Sequence, residues 1–112
     1  MHGLAWMKEA LGEIEGAAIR FDLKKITQVI LRRGQLSHHP QEELEFAWTL
    51  LKEGTICQDA ILVIDEEPAQ IQCHLCGWNA QWHTDLLYCQ ACGGKVELVS
   101  GTDLQLVGIQ GT

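Results

Sequence analysis

The chain has 112 residues and a formal net charge of −7, and 46% of its residues are apolar. This length fits one small domain, or one domain that carries a still smaller one, and no apolar run reaches the roughly 20 residues of a membrane helix. Lys95 is the only Lys or Arg from residue 53 to the end, whereas phosphate contacts require a basic face. We therefore predict neither a nucleic-acid partner nor a membrane partner.

The N-terminal half is predicted to contain a helix and a strand. The N-terminus lacks the basic and apolar segments of a secretory signal, so we predict a cytoplasmic protein. Residues 4–19 should form a helix, because their apolar side chains recur every three or four positions. A polar break follows, and residues 26–31 are β-branched and apolar, as is typical of a strand.

A second helix and a second strand are predicted in the middle of the chain. Pro40 is suited to the first turn of a helix, and Gly54 should end that helix. Residues 60–64 form a short continuous apolar run that is typical of a buried strand. The acidic segment 65–68 should end that strand and act as a hinge. The buried stripe of the second helix is predicted to contain Leu44, Ala47, Trp48 and Leu51.

The last strand is predicted over residues 103–110 and should return to pair with residues 26–31 or 60–65. In that case the segment between 68 and 100 is inserted before the last strand of the first sheet. Alternation along a strand gives the two faces of this last strand. One face would carry Leu104, Leu106 and Gly108, and the other Val107 and Ile109.

The inserted segment contains two matched cysteine pairs, Cys73 with Cys76 and Cys89 with Cys92. Two thiolates of a Cys-x-x-Cys turn can face one ion, and two such turns complete a tetrahedral site of four sulfurs. A glycine follows each pair, as a turn with positive φ requires. We predict structural zinc on these four cysteines. The same ligands would suit iron in a rubredoxin-like redox protein, whereas disulfides would imply a secreted chain.

The other cysteine and the other histidines give weaker signals. Cys57 is predicted to be a buried, inert thiol. His74 and His83 lie near the cysteine pairs, but four thiolates already close a zinc site, so whether either imidazole ever replaces a thiolate stays open. His38 and His39 precede the second helix and are predicted to be neutral and exposed.

The order and spacing of several segments resemble the HypA family of nickel metallochaperones for nickel-iron hydrogenase maturation. The resemblance and the patterns above predict an α+β fold, with two helices on a small mixed three-stranded sheet. They divide the chain into a nickel-binding domain, 1–67 and 101–112, and an inserted zinc-ribbon-like domain, 68–100. The matching segments are Met1-His2, residues 26–31, Gly34-Gln35-Leu36-Ser37, Leu44-Glu45-Phe46-Ala47-Trp48, Gly54-Thr55, Asp65-Glu66-Glu67-Pro68-Ala69, both cysteine pairs and Gly101-Thr102-Asp103-Leu104.

The resemblance also implies a Ni(II) site at the N-terminus. Its ligands would be the amine of Met1, the imidazole and amide of His2, and the amide of Gly3. Four such nitrogens can form a square-planar set, a geometry typical of Ni(II) or Cu(II). The family typically begins Met-His-Glu, so Gly3 keeps the amide but lacks a carboxylate that could orient His2.

Nothing in the sequence resembles a nucleophile with a base or a phosphate-binding glycine loop, so we predict not an enzyme but a carrier that releases nickel by ligand exchange. By the same resemblance, its implied partners are a nickel-loading GTPase and the hydrogenase large subunit. The arm at 67–69 could permit domain swapping and therefore a homodimer. The alternative is a zinc-ribbon interaction module without a nickel role, and Gly3 is the main reason to retain it.

Overall fold

The computed structural model describes residues 2–83 and 86–112, which form two helices and six strands. Strands β2, β1 and β6 form one three-stranded sheet in that order, and strands β4, β3 and β5 form another. No helix in these ranges is both long and apolar enough to cross a bilayer. In chain order the elements are α1 (His2–Arg20), β1 (Ile26–Gly34), α2 (Gln41–Leu51), β2 (Ile61–Glu67), β3 (Gln70–Cys73), β4 (Asn79–Gln81), β5 (Val96–Ser100) and β6 (Leu104–Gly111).

The first sheet is mixed, because its central strand β1 pairs parallel with β2 and antiparallel with β6. The last strand therefore follows the second sheet in the sequence and pairs with β1, which confirms the first of the two predicted pairings, with residues 26–31. The predicted α+β class is also confirmed. Parallel strands require a long crossover connection, and α2 lies within that connection between β1 and β2.

One hydrophobic core lies between the two helices and the first sheet. Full burial of a Leu, Ile, Val or Met side chain stabilises a protein by about 1.5–3 kcal/mol. Among the described residues, the core and the side chains packed on it include none from residues 68–101, so the second sheet lies outside it. The buried core residues are Met7, Leu11, Ile14, Ala18, Ile26, Val29, Leu31, Leu44, Ala47, Trp48, Cys57 and Ala60.

Strand β2 differs from the buried strand predicted at 60–64. It is an edge of the sheet and continues to Glu67, and Ile61 is 67% exposed. The basic pair 32–33 of β1 lies opposite the acidic pair 65–66 of β2. Opposite charges on neighbouring strands favour pairing, so the acidic segment extends the strand instead of ending it.

Strand β6 contains an irregularity that changes which side chains face the core. Leu104 and Leu106 share the face that packs on the core, but Ile109 joins them there, whereas Val107 is 41% exposed. The register with β1 shifts between Leu106 and Gly108. An extra residue in one strand reverses the alternation beyond it, so the prediction that Val107 and Ile109 share a face is wrong.

The predicted hinge is tied to the loop after β1. The amide of Gln35 donates to the carbonyl of Glu67 over 2.9 Å, and the amide of Leu36 donates to the carbonyl of Gly101 over 2.8 Å. The amide of Ala69, a fully buried residue, donates to the side chain of Gln35. Both segments that connect the two sheets are thus hydrogen-bonded to the same loop.

Gly101→Ala is expected to lower the free energy of unfolding by about 2–4 kcal/mol. Gly101 has a φ of +91°, and a Cβ there would lie 2.3 Å from Cα of Ala69. Urea unfolding followed by circular dichroism measures the change. Gly12→Ala is the control, because nothing lies within 4 Å of its Cβ position, and it should raise stability by up to about 1 kcal/mol. Equal changes in the free energy of unfolding for the two substitutions would contradict the close packing of Gly101 against Ala69.

Candidate metal centres

The four paired cysteines converge beside the second sheet. Sγ of Cys73 lies 3.5 Å from Sγ of Cys92, and Sγ of Cys76 lies 3.6 Å from Sγ of Cys89. All four sulfurs lie within 4.8 Å of one another. Zinc–sulfur bonds of about 2.3 Å in a tetrahedron would place the sulfurs about 3.8 Å apart. The cluster therefore fits zinc, and its sulfurs are too far apart for disulfide bonds of about 2.05 Å.

Both cysteine pairs lie in turns of the same kind. Gly77 and Gly93 follow the two pairs with φ values of +80° and +81°. Their amides donate to the carbonyls of Cys73 and Cys89. Only glycine adopts such positive φ angles without a steric cost, so the role predicted for these glycines from sequence is confirmed.

Backbone amides of both turns face the thiol groups. Two amides lie within 3.5 Å of Sγ of Cys73, and two lie 3.3 Å from Sγ of Cys89. The bond from the Cys76 amide contributes most to lowering the pKa of Cys73 to about 6. Burial raises the pKa of Cys89, but bonds from the Cys92 and Ala91 amides outweigh it and lower that pKa. Metals bind the thiolate, and these amide bonds favour that form at Cys73 and Cys89.

Protein purified without chelator is expected to contain one zinc per chain, measured by elemental analysis. The double variant Cys73→Ala/Cys89→Ala should lose the ion, because two thiolates cannot close a tetrahedral site. Cys57→Ala removes a thiol outside the cluster and should retain it. Zinc at full stoichiometry in the double variant would contradict the assignment, and a red colour would indicate iron instead.

The unpaired cysteine and the two nearby histidines do not join this cluster. His74 and His83 are exposed, and neither belongs to the sulfur group within the described parts of the chain. Cys57 is fully buried in the main core. Burial, and to a smaller extent the charge of Glu15, raises the pKa of Cys57 to about 11. The predicted burial of this thiol is confirmed.

A second group of possible ligands lies at the N-terminus of α1. His2 is exposed and lines a cavity of about 520 Å³ together with His38, His39 and Glu43. The ligand atoms of these side chains are not within 4.8 Å of one another as a group. Met1, whose amine belongs to the predicted nickel site, lies outside the described residues.

His39 is more enclosed than predicted. His38 is exposed, as the sequence predicts, but His39 is only partly exposed. The carbonyl of His39 accepts a bond from Nε of Arg33, and its amide donates to Oγ of Ser37. Nδ1 of His39 is buried and has no hydrogen-bond partner among the described residues.

Gly3 makes a contact that the sequence does not suggest. The residue is buried, and its amide donates to Oε1 of Glu43 over 2.8 Å. A Cβ at position 3 would lie 2.7 Å from Cγ of Glu43, so the missing side chain leaves room for this carboxylate. The two residues are 40 positions apart, and no local pattern connects them.

Known proteins resemble this chain over nearly its whole length. Residues 1–111 match the family model described as hydrogenase/urease nickel incorporation, metallochaperone, hypA. The hydrogenase maturation factor HypA of Moorella thermoacetica is 37% identical over 109 residues and covers 95% of each chain. That of Nitrosospira multiformis is 30% identical over 111 residues, which cover 98% of this chain and 96% of the relative.

Two solved structures share the fold. A HypA protein studied in solution gives a TM-score of 0.80 at 23% identity and covers 100% of this chain and 97% of its own. The nickel metallochaperone HypA from Helicobacter pylori gives 0.72 at 22% identity, with 96% and 95% covered. These matches confirm the resemblance found in the sequence. The chain therefore belongs to the HypA family of hydrogenase and urease nickel incorporation.

Proposed function

We propose that this protein is a nickel metallochaperone that delivers Ni(II) during the maturation of nickel-iron hydrogenase. Membership in the HypA family supports the nickel role. The position of His2 is the structural observation that supports a nickel role for this protein. His2 is exposed at the start of α1 and borders a cavity lined by imidazole and carboxylate groups. The protein acts as a carrier, not as an enzyme.

Nickel binds to four nitrogens at the N-terminus in this proposal. They are the amine of Met1, the amide and the imidazole of His2, and the amide of Gly3. A square-planar arrangement of four nitrogen ligands suits Ni(II). A site at the exposed chain end also leaves the ion open to attack by ligands of an acceptor, so transfer proceeds by ligand exchange.

Zinc has a structural role in this proposal. Its ligands are Cys73, Cys76, Cys89 and Cys92, whose converging sulfurs support the assignment. Four protein ligands leave no open position for substrate. The ion holds together residues 68–100 as an inserted domain, while residues 1–67 and 101–112 form the nickel-binding domain.

The proposed partners are a nickel-loading GTPase and the hydrogenase large subunit, in the cytoplasm. A homodimer could form by exchange of the segments that cross between the sheets. The net charge of −7 supports the absence of a nucleic-acid partner. The family description also names urease, so a urease precursor is the natural second acceptor for comparison.

A transfer assay tests this function. Nickel-loaded protein is mixed with metal-free hydrogenase large subunit in the presence of a chelator that captures free Ni(II). Nickel should appear in the large subunit with the wild-type carrier, and not with the His2→Ala variant or with chelated nickel alone. Equal loading from chelated nickel would exclude a carrier role.

A zinc-ribbon interaction module without a nickel role is the second candidate. The hydrogen bond from the Gly3 amide to Glu43 favours it, because that amide is not free to bind a metal in this conformation. Nickel titration of protein with an intact N-terminus separates the two functions. An interaction module would bind nickel no better than its His2→Ala variant does.

A further inference from the structure

We propose that Glu43 blocks the N-terminal nickel site and acts as its gate. Nickel binds only when the hydrogen bond from the Gly3 amide to the Glu43 carboxylate breaks. This inference rests on the proposed nickel function and adds a residue to it. Glu43 lies in the first turn of α2, and its carboxylate is bonded to the Gly3 amide that the nickel site would use. The carboxylate and the metal therefore compete for one nitrogen atom.

The geometry of the first turn of α1 explains why Glu43 binds there. The first amides of a helix have no partner within the helix and attract carboxylate groups. The Gly3 amide is one of them, and Glu43 accepts its proton at 2.8 Å. Glycine at position 3 leaves room for this contact, since a Cβ would lie 2.8 Å from Oε1 of Glu43 and the carboxylate would have to move.

Nickel binding would break the hydrogen bond to Glu43 and unwind the first residues of α1. The Gly3 amide loses its proton to solvent, its nitrogen forms a bond to Ni(II), and the hydrogen bond to Glu43 breaks. His2 and Gly3 also leave the helical conformation, because a planar set of chelate rings is incompatible with helical backbone angles. The displaced carboxylate regains its hydration in the cavity that it shares with His2.

Nickel titration of the zinc-loaded full chain, with an intact N-terminus, tests the gate. Glu43→Ala is expected to bind nickel about tenfold more tightly, because a hydrogen bond to a charged group contributes at least about 1.4 kcal/mol, a factor of ten. Glu43→Gln keeps a neutral and weaker acceptor and should lie between Glu43→Ala and the wild type.

Glu42→Ala is the matched control. Glu42 is exposed in the same helical turn, so this variant removes the same charge without touching Gly3. Its nickel affinity should stay within about twofold of the wild type, because exposed charges are screened. If Glu43→Ala binds nickel no more tightly than Glu42→Ala, the gate is overturned.

Amide hydrogen exchange separates failure of the gate from failure of the nickel function. Without nickel, the Gly3 amide should exchange about tenfold faster in Glu43→Ala than in the wild type. Unchanged exchange would overturn the bond on which the gate depends. If exchange changes but no variant shows His2-dependent nickel binding, both the proposed function and the gate fail, and Glu43 serves only to cap the helix.

Discussion

Removal of zinc is expected to disorder residues 69–99 while both helices stay folded. The reason is the small number of buried side chains in that segment. Among the described residues of this segment, the buried apolar ones are Ala69, Ile71, Cys73, Leu86 and Cys89, and two of these five are candidate zinc ligands. Zinc contributes apparent free energies of about 10–16 kcal/mol in small zinc domains. Without the ion, the segment has too little apolar burial to offset the entropy of ordering its backbone.

The helices should survive because their core is separate from the zinc cluster. Treatment with a strong chelator should therefore leave most of the helical circular dichroism signal, while amides of residues 69–99 lose protection from hydrogen exchange. The Cys73→Ala/Cys89→Ala variant should behave like chelated protein, and Cys57→Ala should not. Loss of the helical signal together with zinc would show that the two sheets fold as one unit.

Nickel binding is expected to weaken more than about 100-fold in His2→Ala, since loss of a group that only supports a ligand already costs ~10–100-fold. Gly3→Pro should weaken it sharply as well, because proline has no amide proton to lose. Proline is tolerated in the first turn of a helix, so the circular dichroism of α1 should be retained. Gly3→Ala keeps the amide but would displace the Glu43 carboxylate, so its nickel affinity should not fall below that of the wild type. Isothermal titration measures each affinity.

Two further features should accompany this nickel site. Binding must release protons and strengthen as pH rises, because the ligands bind in their deprotonated forms. An N-terminal extension should abolish binding by converting the Met1 amine into an amide. If Gly3→Pro and the extension both leave the isotherm unchanged, the ion sits elsewhere. His38 and His39, which line the same cavity as His2, would then be the next candidate ligands.

The candidate zinc site could be read almost completely from the sequence. Each Cys-x-x-Cys turn is local, and its geometry follows from the spacing and from a glycine such as Gly77 that permits positive φ. The helices were predictable for the same reason, since amphipathic periodicity is a local property. Only the convergence of the two turns depends on the fold of β3, β4 and β5.

Other features depended on contacts between distant segments, which a pattern along the chain cannot record. Edge and central strands differ only in their neighbours, so β2 could not be recognised as an edge strand from its apolar run. The bulge that turns Ile109 toward the core arises from pairing with β1.

The sequence by itself therefore determined the fold class and the four clustered cysteines, because periodicity and short spacings encode them, and its matching segments carried the resemblance to the family. The tertiary structure decided the surroundings of the N-terminus, where α2 places Glu43 on the Gly3 amide and the loop after β1 brings His38 and His39 to the cavity beside His2. These residues are far apart in the chain, and they meet only because α1 and α2 pack on the same sheet and bury a common core.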